Sequence, residues 1–147
     1  CTYLANSGAR WLYAADGSRD PQRWAAMADG AAFFRLMFTA NTPRLCVENP
    51  VQHRRAVEAH GMGRPAQTVQ PYQYGHLETK RTAYWLRGLP PLVPTTDLKG
   101  QTMALPERER ARIHYASPGP DRWKLRSTSY SGIAQAMADQ WGPLLGS

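Results

Sequence analysis

The chain has 147 residues, a formal net charge of +7 and a pI near 9.9, with 20% charged and 10% aromatic residues and five Trp. It is long enough for one domain, taken as 1–147, and has too many large apolar anchors for a disordered segment. No run approaches the ~18 apolar residues of a membrane span, and two cysteines with no Cys-x-x-Cys pair exclude a disulfide scaffold and offer no zinc motif.

The first residue is Cys1, with no signal-peptide pattern after it. The expectation is either processing that exposes Cys1 or, preferably, the carboxyl-terminal part of a longer chain. Cys1–Asp20 reads as an ordered loop, with turn residues around Trp11 and Tyr13. Asp20 and Pro21 then open a helix. Trp24, Met27, Ala31, Phe34 and Phe38 step by three and four, which makes one apolar face. Asn41-Thr42-Pro43 ends it. Leu45–Val47 is expected as a buried parallel strand, with Glu48 and Asn49 at its carboxyl end. Residues 51–67 read as a short helix and a loop, Thr68–Tyr74 as a strand, Gly75–Lys80 as a polar turn and Thr82–Leu86 as a strand. From Gly88 to about residue 127 the chain is expected to be irregular, too long for an ordinary connection. Ser131 caps a last helix, with Ile133, Met137 and Trp141 on one face, and Gly142-Pro143 stops it.

Four groups of residues carry chemistry. Glu48-Asn49-Pro50 places a carboxylate and an amide at a strand end. Such a pair can hold and protonate a ring nitrogen if partial burial raises the acid's pKa. It also reads as a plain surface turn. Cys1 is a nucleophile if its thiol ionises, and Arg10 is near in sequence; Cys46 reads as core. Lys80 and Arg81 stand at a strand entrance, where they can hold a phosphate or a base carbonyl, or simply be solvated. Arg122, Trp123, Lys124 and Arg126 interleave basic and aromatic groups, as a nucleic-acid backbone and an unstacked base require, and a Trp pinned under a loop fits the same pattern. Arginine outnumbers lysine fifteen to three. Nucleic acid is then the natural acidic partner, although GC-rich coding gives the same bias. The four histidines have no metal-ligand spacing and receive no role.

In order, these pieces resemble the carboxyl-terminal portion of a DNA (cytosine-5)-methyltransferase, closest to the compact methylase-like proteins of phages and prophages. The resemblance rests on Cys1–Trp11, Glu48–Val51, Gln70–His76, Trp85–Pro90 and Asp121–Lys124, with Gly132–Trp141 as the closing helix. It departs where the family's Val is Pro50 and where its Gln and two Arg are Glu78, Lys80 and Thr82. The family's glycine-rich S-adenosylmethionine loop precedes the cysteine motif.

The resemblance implies an α/β fold, part of a Rossmann-like methyltransferase with a mostly parallel sheet, and a reduced target-recognition region at 88–127. It implies methyl transfer from S-adenosylmethionine to C5 of cytosine in DNA, as in restriction-modification. The enzyme would act in the cytoplasm of a bacterial host and be encoded by a phage or prophage, with no metal and no membrane partner. Cys1 would add to the flipped base, Glu48 would hold its N3, Asn49 would orient the loop, and Lys80 or Arg81 would hold the base carbonyl or a phosphate. Arg10, Arg122, Trp123, Lys124 and Arg126 would face the DNA. Two other readings stand beside it: a catalytically inactive methylase-like DNA-binding module, and a hydrolase using an N-terminal Cys1.

Overall fold

The computed structural model describes residues 3–146. They form two compact units. One comprises the residues up to Thr68 together with Thr82–Leu89; the other comprises Val69–Arg81 and the residues from Pro90 on.

The first unit is built on helix α1 (Pro21–Phe38), strands β1 (Leu45–Pro50) and β3 (Thr82–Arg87), and the short helix α2 (Arg54–His60). Asp20 caps α1 by accepting the Arg23 N–H at 3.0 Å, with Pro21 in the first turn, as the sequence predicts. The expected apolar face is the buried one. Met27, Ala31 and Phe34 are buried, and Trp24 and Phe38 pack against the same core. Leu4, Leu12, Val47, Ala56, Ala83 and Trp85 complete it.

The sheet has three strands in the order β1-β3-β2, with β2 at Gln67–Val69. The parallel expectation for β1 is corrected here, because β1 runs antiparallel to β3, from Leu45 opposite Arg87 to Pro50 opposite Thr82. A three-residue apolar run signals a strand but carries no direction. Its flanks were the better guide. Val47 and Asn49 are buried while Glu48 and Pro50 are exposed, the alternation of a strand covered on one face only. The fold is therefore mixed α/β with a small sheet. The strand expected over Thr68–Tyr74 also ends early. Pro71 has no N–H to give a ladder, and a 3-10 turn takes over at Pro71–Gln73.

His60, which has no role in the sequence reading, is fully buried between Phe34 and Trp85. Its Nδ1 accepts the Met62 N–H at 3.0 Å, so Nε2 carries the hydrogen and donates to Gln52 Oε1 at 2.7 Å. Burial, and then the Arg35 charge, hold its pKa below the ordinary 6.5. The unfolded chain therefore takes up a proton near pH 6.5 that the folded chain refuses. Stability contributed above that pH is lost as the pH falls through the folded pKa, at up to about 1.4 kcal/mol per pH unit. Urea midpoints measured between pH 7.5 and 5 should fall more steeply for the parent than for His60→Gln. Equal slopes would mean that the ring is not held neutral.

The second unit contains α3 (Lys99–Ala104), α4 (Glu107–Arg110), α5 (Arg122–Ser127) and α6 (Ser131–Trp141). The irregular stretch expected over 88–127 thus holds three short helices. Each is four to six residues long, too short to display a helical period. On α6, Ile133 and Trp141 are buried as expected, Met137 is half-buried and Ala136 is the third buried position. The cap position is Tyr130, and Ser131 is the first helical residue with no side-chain cap bond. Trp141 Nε1–H donates to Pro90 O at 2.9 Å, and Gln140 exchanges two hydrogen bonds with the Val93 backbone. These fix the proline-rich segment to α6.

Candidate functional site

The carboxyl end of β1 is assembled locally. Asn49 is buried and Glu48 beside it is exposed, on the opposite face of the strand. The partial burial expected of Glu48 is therefore not observed, because alternation turns it away from the core. Past Pro50 the chain meets its own beginning. The Asn6 N–H donates to Val51 O at 2.7 Å, the His53 N–H donates to Leu4 O at 3.1 Å, and Ala5 bridges Gln52.

His53 secures this junction. Its Nδ1 accepts the Ala56 N–H at 3.0 Å and caps α2. The hydrogen then sits on Nε2, which donates to Tyr3 O at 3.0 Å. Sequence reasoning missed it, because its partner is fifty residues away along the chain. A position just before Arg54–His60 was the only available signal for a cap. Cys1, expected as the nucleophile, lies outside the described residues.

Cys46 is half-buried on β1. Burial, and then the charge of Glu48, push its thiol up to about 11. It stays protonated at neutral pH and is a poor nucleophile, in keeping with its reading as a packing residue.

Arg10 also belongs to the first unit. It is exposed, with its guanidinium 4.4 Å from the Trp11 ring centroid. Lys80 and Arg81 fall in the second unit. Arg81 is exposed. Lys80 Nζ donates to Arg126 O at 2.6 Å and lies 5.6 Å from the Tyr130 ring centroid. The structure thus joins two groups that were separate in the sequence, the basic pair before β3 and the tract carried by α5. Trp123 on α5 is 65% exposed, with Lys124 Nζ 5.8 Å from its ring. Lys124 and Arg126 are exposed and Arg122 is half-buried.

Glu78 organises the base of this group. It accepts from Arg112 Nη2 at 2.6 Å and from the Tyr130 hydroxyl at 2.8 Å. Burial, followed by the bond to Glu78 and its charge, raises the Tyr130 pKa well above its ordinary value. The phenol therefore stays a donor. His76 Nε2 accepts the Gly132 N–H at 3.0 Å and its ring meets Tyr130 edge-on. The positions of Glu78 and His76 were visible in sequence, but their partners, 34 to 56 residues on, were not.

S-adenosylmethionine, implied by the resemblance, does not fit the residues described. The turn from β1 into α2, Pro50–His53, has no glycine to let a nucleotide approach the backbone. The N-terminus of α2 is already closed by His53. A depression lined by Tyr3, Gly8, Trp11, Leu12 and Arg23 measures about 20 Å³, against the roughly 300–1,000 Å³ of ligand pockets.

Among the described residues no group of three His, Cys, Asp or Glu side chains is gathered for a metal ion. No helix in them is long and apolar enough to cross a membrane. No family model, curated protein or solved structure matches the chain.

Proposed function

We propose that the chain works on cytosine in DNA in the manner of the (cytosine-5)-methyltransferases it resembles, receiving the flipped base and supplying the nucleophile and the acid. One observation carries the reading. The segment from Tyr3 to Asn6, which directly follows Cys1 in sequence, is bonded to Val51–His53, immediately past Glu48 and Asn49. The reading requires the Cys1 thiolate and the Glu48 carboxylate to reach one planar ring, and this junction ties together the segments that follow them in sequence.

On this proposal the base leaves the stack because its ring carbons cannot be reached within it. The Cys1 sulfur forms a bond to C6. The electron pair displaced from the C5–C6 double bond makes C5 nucleophilic, and Glu48 holds N3 as charge develops there. If C5 displaces the leaving group of an electrophilic methyl donor, which departs with the electron pair of the broken bond, loss of the C5 proton then restores the double bond and breaks the C–S bond, returning the thiolate. Asn49, buried on the face opposite Glu48, keeps the strand end in position.

The test is methyl incorporation into cytosine of duplex DNA by the full-length protein. Cys1→Ser is expected to abolish it and Glu48→Gln to lower kcat roughly 10²–10³-fold, with DNA affinity retained in both. Full activity of Cys1→Ser would overturn the assignment.

A second reading, a methylase-like DNA-binding module without chemistry, is favoured by the exposed Trp123 with Lys124 and Arg126 beside it on α5. It predicts no incorporation, with DNA affinity that falls steeply between about 50 and 200 mM salt.

A further inference from the structure

We propose that the first unit carries a stacking site for single-stranded DNA, made by Tyr3 and Trp11 with the arginines that cover them. Trp11 is 53% exposed and Tyr3 40% exposed. Arg10 lies 4.4 Å from the Trp11 ring centroid and Arg23 5.8 Å from that of Tyr3. The depression these two rings help to line, at about 20 Å³, is too small to enclose a base. A base can only lie across it, with its face on a ring.

The same stretch continues the pattern. Arg19 lies 4.4 Å from the ring of Trp24, and Tyr13 meets that ring edge-on at 6.1 Å. Its two carboxylates are turned to their own backbone: Asp16 accepts from the Ser18 N–H and hydroxyl, and Asp20 caps α1. Among the described residues none of the three arginines is in an ion pair.

The platform is held in place. Leu12 is buried, and its carbonyl accepts from the Trp24 indole at 2.9 Å and from the Asp20 N–H at 3.0 Å. At the other end the Asn6 N–H is bonded to Val51 O.

Charge complementarity and ring chemistry select the occupant. Free guanidinium groups call for a polyanion, and exposed aromatic faces call for a planar partner. Duplex DNA supplies phosphates but hides its base faces, whereas a single strand offers both. The inference rests on DNA being the partner, as proposed above, and not on methyl transfer.

The test is fluorescence anisotropy of a labelled oligothymidylate and of a duplex of equal length. Trp11→Ala and Tyr3→Ala should each weaken single-strand binding roughly tenfold or more, with duplex binding little changed. Trp11→Phe should retain most of the affinity, which separates stacking from a folding defect. Arg10→Ala should lower the salt slope on the single strand by about 0.7. Parent-like single-strand binding by both alanine variants would overturn the site. So would tighter binding of an oligouridylate, which would give the surface to RNA. A protein that binds duplex but no single strand loses this inference alone, whereas one that binds neither loses the proposed DNA partner as well.

Discussion

Trp85→Ala is expected to destabilise the first unit by about 3–5 kcal/mol, the usual cost of emptying a buried aromatic site. Trp85 is 1% exposed, at the centre of the middle strand β3. Its ring meets Phe34 edge-on at 4.9 Å and His60 at 6.0 Å. Its indole N–H donates to Gly63 O at 3.0 Å. Truncation removes the wall against which α1, through Phe34, and α2, through His60, are packed. Trp85→Phe keeps most of that wall and loses one hydrogen bond, worth about 1 kcal/mol. Urea unfolding followed by far-UV circular dichroism separates the two variants, and amide exchange in β1 localises the loss. A cost below about 1 kcal/mol for the alanine variant would mean that this tryptophan does not anchor the core. The functional consequence follows from register. Val47 and Asn49 share the face of Trp85 and Ala83, so the strand end that carries Glu48 is seated by the same packing.

Helix α1 was legible because eighteen residues give five turns of one apolar face, enough to outweigh Gly30 within it. The strands were legible as strands and illegible as partners. Nothing in Leu45–Val47 names Thr82–Arg87 as its neighbour, because pairing is decided by tertiary contacts between segments some forty residues apart. The α3–α5 stretch failed for a different reason. Helices of four to six residues make few internal hydrogen bonds and draw stability from what they touch, so their local sequence carries little signal.

The candidate site divides along the same line. The strand leading into Glu48 and Asn49 was legible, which is a local property, although both lie within it, opposite Tyr84 and Ala83, rather than just beyond its end. The exposure of Glu48 was not, although strict alternation from the buried Val47 would have given it. The tie between Tyr3–Asn6 and Val51–His53 could not be read, since apart from the His53 ring it is made by backbone groups that every residue has. The histidines were illegible because a metal site is the one histidine role that leaves a spacing signature in sequence. His53, His60 and His76 each use one ring nitrogen to accept a backbone N–H, a use that leaves no spacing pattern.

Gly132→Ala should destabilise the second unit by about 3 kcal/mol or more, at the upper end of what overpacking costs. Helix propensity argues the other way, since alanine within α6 is favoured over glycine by roughly 1 kcal/mol. Contact decides the sign. A Cβ at this position would stand 2.0 Å from Tyr74 O and 3.0 Å from His76 Nε2. Neither neighbour is free to retreat. The Tyr74 N–H is bonded to Pro71 O and its hydroxyl to Leu92 O, and Tyr74 pairs with Thr96. Helix α6 must therefore withdraw, breaking the Gly132–His76 bond and pulling Tyr130, the residue before α6, from Glu78. Lys80, which sits over the Tyr130 ring and holds the Arg126 carbonyl, loses the support of that ring. Amide exchange in α5 and α6 should accelerate together, and affinity for DNA should fall to the extent that Trp123, Lys124 and Arg126 contribute to it. A raised melting temperature in this variant would mean that propensity had won and that α6 does not rest on Tyr74.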